Sequence, residues 1–245
     1  MSLQPDTPSS ARFWHALLDG KNHFPVDQQL VTEMVELYPQ ARSLALASRR
    51  FQATAVEFVI EQGVRQFIDL GAGLPVEPNT HEIAQRVAPD ARVVYVDHDP
   101  VVLAHARALL TSSPEGRTDY LDIDFLDRPR VLADAKRTLD LERPIALLWM
   151  STLGHIPADQ APGLVSDYLD ALPAGSYLAL CDTLTDEVID QANEHYAASG
   201  TQPYTARTQR DFERITEGRE VVWPLQSLPD DEGHETQQYG LILRT

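Results

Sequence analysis

At 245 residues with 43% hydrophobic content, the chain is long enough to bury one sizeable core, and its net charge of −17 argues against a nucleic-acid partner, which needs Lys/Arg faces to neutralise phosphates. A single cysteine, Cys181, leaves no internal disulfide framework and suggests a reducing compartment. No apolar run approaches the ~18 residues of a membrane span and the polar start has no signal-peptide core, so the expectation is a cytoplasmic, soluble protein with no membrane partner.

In chain order, residues 1–10 are rich in Pro, Ser and Asp and read as disordered at the start. Residues 11–62 carry apolar positions at helical spacing, Leu30, Met34 and Leu37 and then Phe51, Ala55, Phe58 and Val59. Pro25 and Pro39 break this stretch into about three helices. From residue 65 strands alternate with helices: strands over 65–70, 92–97, 118–123, 144–150 and 176–182, helices over 80–88, 100–111, 129–139, 158–172 and 186–198. Such alternation implies a parallel sheet with right-handed crossovers and both faces covered. The tail differs, with a capped helix over 208–216 and strands over 220–223 and 240–244 joined by an acidic connection, 229–238. A terminal antiparallel hairpin is expected. The domain reading is a helical cap over 1–62 and a Rossmann-like domain over 63–245.

The stretch 66–99 carries the chemistry. An apolar strand leads to Asp69, the chain turns through Gly71 and Gly73, a helix capped by Asn79 or Thr80 follows, and a second apolar strand ends at Asp97. A carboxylate at that strand tip is placed to grip a ribose diol. The dinucleotide fingerprint needs a third glycine, but Val76 occupies that position, and Pro75 and Pro78 lengthen the loop. No G-K-[ST] follows the turn, so a P-loop is excluded. Asp69 just ahead of the glycines suits an ammonium better than a pyrophosphate. A ligand with a ribose, an ammonium and no phosphate is S-adenosylmethionine.

On Gln66-Phe67-Ile68-Asp69-Leu70-Gly71-Ala72-Gly73-Leu74-Pro75, His81-Glu82-Ile83-Ala84-Gln85 and Ala91-Arg92-Val93-Val94-Tyr95-Val96-Asp97-His98-Asp99-Pro100, the chain resembles class I S-adenosylmethionine-dependent methyltransferases. More closely, it is similar to the actinobacterial S-adenosyl methyltransferase family once catalogued as DUF574, over nearly the whole chain. The resemblance implies a seven-stranded, mostly parallel sheet with an antiparallel last strand and an N-terminal helical cap. It implies that Asp69, Gly71 and Gly73 border the methionine moiety, that Leu74 also lies on the cofactor, that Asp97 binds the ribose hydroxyls and that His98 flanks the adenosine. Asp124 and Phe125 would border the adenine, with Met150 and Ser151 under the sulfonium. The segment Leu18-Asp19-Gly20-Lys21-Asn22-His23-Phe24 departs from the family's usual L-G-G-K-D-N-F, which leaves the acceptor open.

The expected activity is methyl transfer to an O or N atom of a small molecule, probed through His155, His23 and Trp14 as catalytic candidates. His155 follows the fourth strand at the carboxyl edge of the sheet, where it can act as a base or simply close the loop; His15, His23 and His98 are weaker candidates. Trp14, Phe24 and Trp149 can face a sulfonium or pack in the core. Asp127 reads as a helix N-cap and Asp122 as a turn acid beside Asp124. Arg207, Arg210 and Arg214 read as a solvated face, Cys181 as a buried small residue, and no cluster has metal spacing. Two other readings use the same ligand. Its amine or carboxylate could attack intramolecularly and release methylthioadenosine, or the protein could bind it without turnover.

Overall fold

The computed structural model describes residues 5–102 and 111–245. The helix expected over 100–111 falls, from 103 to 110, outside the described residues, as do residues 1–4 of the expected disordered start. Three helices open the chain: α1 (Ser10–Leu17), α2 (Pro25–Leu37) and α3 (Ala41–Glu61). Ser9 caps α1 by accepting from the Arg12 N–H, and Pro25 sits in the first turn of α2, where a missing N–H costs nothing. Asp27 is fully buried and accepts from Ser9 N (3.1 Å), Phe24 N (2.8 Å) and Arg12 Nε (2.7 Å), so one carboxylate fixes α1 against α2.

The remainder alternates as expected: β1 (Gln66–Leu70), α4 (Thr80–Val87), β2 (Arg92–Asp97), β3 (Arg117–Asp122), α5 (Arg128–Ala135) and β4 (Ala146–Met150). Then come α6 (Ala161–Asp170), β5 (Tyr177–Thr183), α7 (Glu187–Ala198), α8 (Gln209–Thr216), β6 (Glu220–Pro229) and β7 (Glu235–Arg244). The caps expected at Asn79, Asp127 and Thr208 with Asp211 all form. The two last strands are longer than their apolar runs. Register breaks at Val221/Trp223, Trp223/Gln226 and Ser227/Pro229 obscure the period-two pattern, and only residues 230–234 remain as a turn.

The seven strands lie in the order β3-β2-β1-β4-β5-β7-β6, parallel from β3 to β5 and antiparallel at β7 on both sides. This is the expected fold class. Alternate β1 residues feed opposite faces: Ile68 and Leu70 join a core with α5, α6 and α8, whereas Phe67 joins one with α3 and α4. Asp69 shares the face of Phe67 and therefore meets α3 and α4. Although α3 belongs to the N-terminal segment, it covers the sheet itself, while α1 and α2 pack on α7 in a third cluster built on Phe13, Leu30, Met34 and Ile189. Strand order reverses between β1 and β4, and the carboxyl ends of the strands at such a point are where open α/β sheets hold ligands. Among the described residues, no helix is long and apolar enough to cross a membrane.

Candidate functional site

A cavity of about 520 Å³ opens at that switch point. Every residue named above as cofactor-binding lines it: Asp69, Gly71, Gly73, Leu74, Asp97, His98, Asp124, Phe125, Met150 and Ser151. Its other wall is α1, through Ser10, Ala11, Trp14, His15 and Leu18, together with His155 and Ile156.

The β1–α4 loop is shaped by hydrogen bonds from its own glycines. Gly71 N donates to Val96 O (2.8 Å), and Gly73 N donates to Asp97 Oδ2 (2.8 Å). Gly71 has φ 69°, and a Cβ there would lie 2.6 Å from Thr152 Cγ2, itself tied by its hydroxyl to Leu70 O (3.1 Å). Gly71→Ala is therefore expected to strain the turn by about 1–2 kcal/mol and to push the loop into the cavity. A thermal melt and calorimetry with S-adenosylhomocysteine check this, with affinity falling more than stability.

The two carboxylates are held differently. Asp69 is buried, and its Oδ2 accepts from Thr80 Oγ1 (2.6 Å) and Gln52 Nε2 (3.2 Å). Burial pushes its pKa up to about 6, against the Thr80 hydrogen bond and the Arg49 charge, which pull it down. Asp97 accepts from Gly73 N and from Asp99 N (2.9 Å), and burial again raises its pKa. Asp124 is exposed, and its Oδ1 caps Leu126 N (2.9 Å). Phe125 is buried edge-on to Trp149, with ring centroids 5.5 Å apart.

Reading the sequence did not single out α3 as part of the site. Ala45, Ser48, Arg49 and Gln52 line the cavity. Arg49 donates through Nη2 to Val76 O (2.6 Å) and Pro78 O (2.5 Å) and through Nη1 to Gln52 Oε1, which staples the long proline loop to the helix. Burial pushes Arg49 down while the Asp69 charge holds it up. Positions 45, 48, 49 and 52 fall at i, i+3, i+4 and i+7, so Ser48 and Gln52 on the helix's buried, largely apolar face were the available signal. Ser151 has φ 56° and is pinned by Ser48 Oγ (3.0 Å) and Gln238 Nε2 (2.8 Å).

Other candidates are placed elsewhere. His23 does not line the cavity; its Nδ1 turns back onto Gly20 O (2.9 Å), which closes the α1–α2 connection. Phe24 lies under the Arg12 guanidinium (4.9 Å) rather than facing the cavity, and Trp149 is a core residue between Phe125 and Tyr168. Arg207 corrects the solvated-face reading. It is fully buried, 3.6 Å from Asp182, and donates to Leu153 O and Ile156 O (2.7 Å); Arg210 and Arg214 are exposed. Cys181 is buried beside Ser48 (3.1 Å), and burial pushes its thiol up. No group of acids, histidines and cysteine suits a metal ion among the described residues.

The family profile described as S-adenosyl methyltransferase matches residues 1–227. The chain belongs to that family. Its cofactor is S-adenosyl-L-methionine, and the chain is an S-adenosylmethionine-dependent methyltransferase. A DUF574 family protein from Streptomyces avermitilis has 36% identity, covers 100% of both chains and superposes with a TM-score of 0.91. A crystal structure from Thermobifida fusca, described as a candidate methyltransferase, has 33% identity over 99% of this chain and 97% of its own, with a TM-score of 0.90. The Burkholderia thailandensis 1,6-didemethyltoxoflavin-N1-methyltransferase, solved with bound 1,6-didemethyltoxoflavin and S-adenosylhomocysteine, shares the fold at 14% identity, covering 89% of this chain and 88% of its own, with a TM-score of 0.53. Among curated proteins, none matches the chain.

Proposed function

We propose that this methyltransferase transfers its methyl group to an O or N atom of a small molecule of secondary metabolism. The observation that supports this reading is the extent of the cavity, about 520 Å³, whose lining includes α1 and His155 besides the carboxylates of Asp69 and Asp97. The donor set suits the cofactor: a buried carboxylate for an ammonium, a strand-tip carboxylate for a diol, a guanidinium for a carboxylate, and glycines that admit close approach. In this reading Asp69 receives the ammonium, Arg49 the carboxylate and Asp97 the ribose hydroxyls. Asp124 and Phe125 border the adenine, and Met150 and Ser151 support the reacting end. When bound, the cofactor supplies an electrophilic methyl group on a sulfonium. The chain's own residues orient the partners, and α1 limits water access.

Asp69 makes the reading pH-dependent. Its carboxyl titrates near pH 6 in the ligand-free protein, and only the ionised form attracts an ammonium. Affinity for S-adenosylhomocysteine is therefore expected to fall up to tenfold per pH unit below about 6 and to level off above about 7. Calorimetry from pH 5 to 8 checks this, and Asp69→Asn should flatten the profile. The same shift works against folding at neutral pH. A carboxyl whose folded pKa lies above its unfolded value costs stability above that unfolded value, and the cost is relieved as pH falls through about 6 toward 4.

The decisive assay is mass spectrometry of the nucleoside product. S-adenosylhomocysteine formed only when the small-molecule fraction of a cell extract is added supports the reading. Methylthioadenosine formed without any acceptor overturns it in favour of intramolecular attack. Binding with no turnover in any extract overturns it in favour of a sensor.

A further inference from the structure

His155 sits in a short 3-10 turn (Leu153–His155) after β4, with both ring nitrogens engaged. Nδ1 lies 2.9 Å from Pro203 O, a carbonyl that only accepts, so Nδ1 carries the proton. In the neutral ring Nε2 is then a bare lone pair, and Ser10 Oγ lies 3.0 Å from it. The Ser10 hydroxyl therefore donates to His155. Burial holds the ring's pKa below its ordinary value, against the Pro203 hydrogen bond that raises it, which keeps it neutral near pH 7. Arg207 fixes the turn itself through Leu153 O and Ile156 O. Ser10 is on α1, 145 positions away in the chain, and both residues line the cavity.

The chemistry around this pair is selective. The charged residues lining the cavity, Arg49, Asp69, Asp97, Asp99 and Asp124, stand on α3, at the carboxyl ends of β1 and β2, or just after β2 and β3, on the side assigned above to the cofactor. The lining that includes Ser10 and His155 also carries Trp14, Leu18 and Ile156, with the imidazoles of His15 and His98 and neutral polar groups. An anionic acceptor would share the cavity with four carboxylates and, apart from Arg49, with no Lys or Arg. An aromatic body finds an indole ring and two aliphatic side chains.

We propose that Ser10 and His155 form a proton relay that deprotonates an uncharged aromatic hydroxyl, making a phenol the acceptor class. This rests on the methyl-transfer reading. A neutral amine is already a nucleophile, whereas a phenol must shed its proton, so a base held in the accepting tautomer is matched to an O–H. The acceptor O–H donates to Ser10 Oγ, and Ser10 passes its own proton to His155 Nε2. The acceptor oxygen forms a bond to the methyl carbon as the S–CH₃ bond breaks, with its electron pair staying on sulfur. The positive charge lost by sulfur appears on the imidazolium and leaves as a proton to solvent.

The test uses catechol and the more acidic 4-nitrocatechol as acceptors, benzoate as the anionic comparison, and S-adenosylhomocysteine titrated separately. Wild-type enzyme is expected to methylate both phenols and not benzoate. His155→Gln should lose on the order of 100-fold or more in kcat with catechol and markedly less with 4-nitrocatechol, because an already acidic hydroxyl needs less help. Ser10→Ala should show the same acidity-dependent loss, and Ser10→Thr should restore it. His15→Gln and His98→Gln, in the same cavity, should affect both phenols alike. Without any acceptor, ¹⁵N spectra of His155 should show a protonated Nδ1 and a lone-pair Nε2 whose shift moves in Ser10→Ala. Intact S-adenosylhomocysteine binding with no methylation of either phenol overturns the acceptor assignment. An Nε2–H tautomer, or equal losses on both phenols, overturns the relay. Failure to bind S-adenosylhomocysteine overturns the underlying reading instead.

Discussion

Arg207→Ala is expected to lower the folding free energy by about 3–5 kcal/mol, the usual cost of removing one partner of a buried ion pair. Arg207 and Asp182 are both fully buried, and Asp182 Oδ2 and Arg207 Nη1 have no hydrogen-bond partner among the described residues. The substitution leaves a carboxylate in the core whose pKa burial already raises, and it frees the carbonyls of Leu153 and Ile156. For a chain of this size that corresponds to a fall in Tm on the order of 10 °C. A urea titration checks it. Replacing both partners with apolar residues, Arg207→Met with Asp182→Leu, should recover much of the loss, because the cost lies in the unpaired charge rather than in the missing attraction. If the double variant is no better than the single, the carbonyl contacts of Arg207 carry the stability.

Why this residue was misread shows where the sequence stops being informative. Arg207 looked like its exposed neighbours Arg210 and Arg214, because its partners, Asp182 and the carbonyls after β4, are brought to it only by the tertiary fold. The sheet, by contrast, was legible because parallel strands covered on both faces read as continuous apolar runs, and β2, β4 and β5 do. The Gly71–Gly73 turn and the carboxylates of Asp69 and Asp97 were legible for a related reason: backbone geometry and buried charge restrict residue type locally. The contributions of α1 and α3 were not. Ser10 needs His155 to acquire meaning, and Arg49 needs the proline loop it holds. His23, a polar residue near an expected cavity mouth, fills its hydrogen bond within its own turn.

Asp97→Ala is expected to weaken S-adenosylhomocysteine binding on the order of 100-fold or more, since two charge-assisted hydrogen bonds to a ribose diol are worth about 1.5–3 kcal/mol each. The side chain also accepts from Gly73 N and Asp99 N, so a collapsed loop could lower affinity without any ribose contact. Adenosine, which has the ribose and base but no amino acid, separates the two causes. Asp97→Ala should lose affinity for adenosine and S-adenosylhomocysteine by similar factors, whereas Asp69→Asn should lose affinity only for the latter. Asp97→Asn, which keeps an acceptor for Gly73 N but not the charge, should fall between wild type and alanine. Asp122→Asn, at the exposed end of β3 and outside the cavity, should change neither. Equal adenosine affinity in wild type and Asp97→Ala would remove the ribose from Asp97 and turn that carboxylate into a loop support alone.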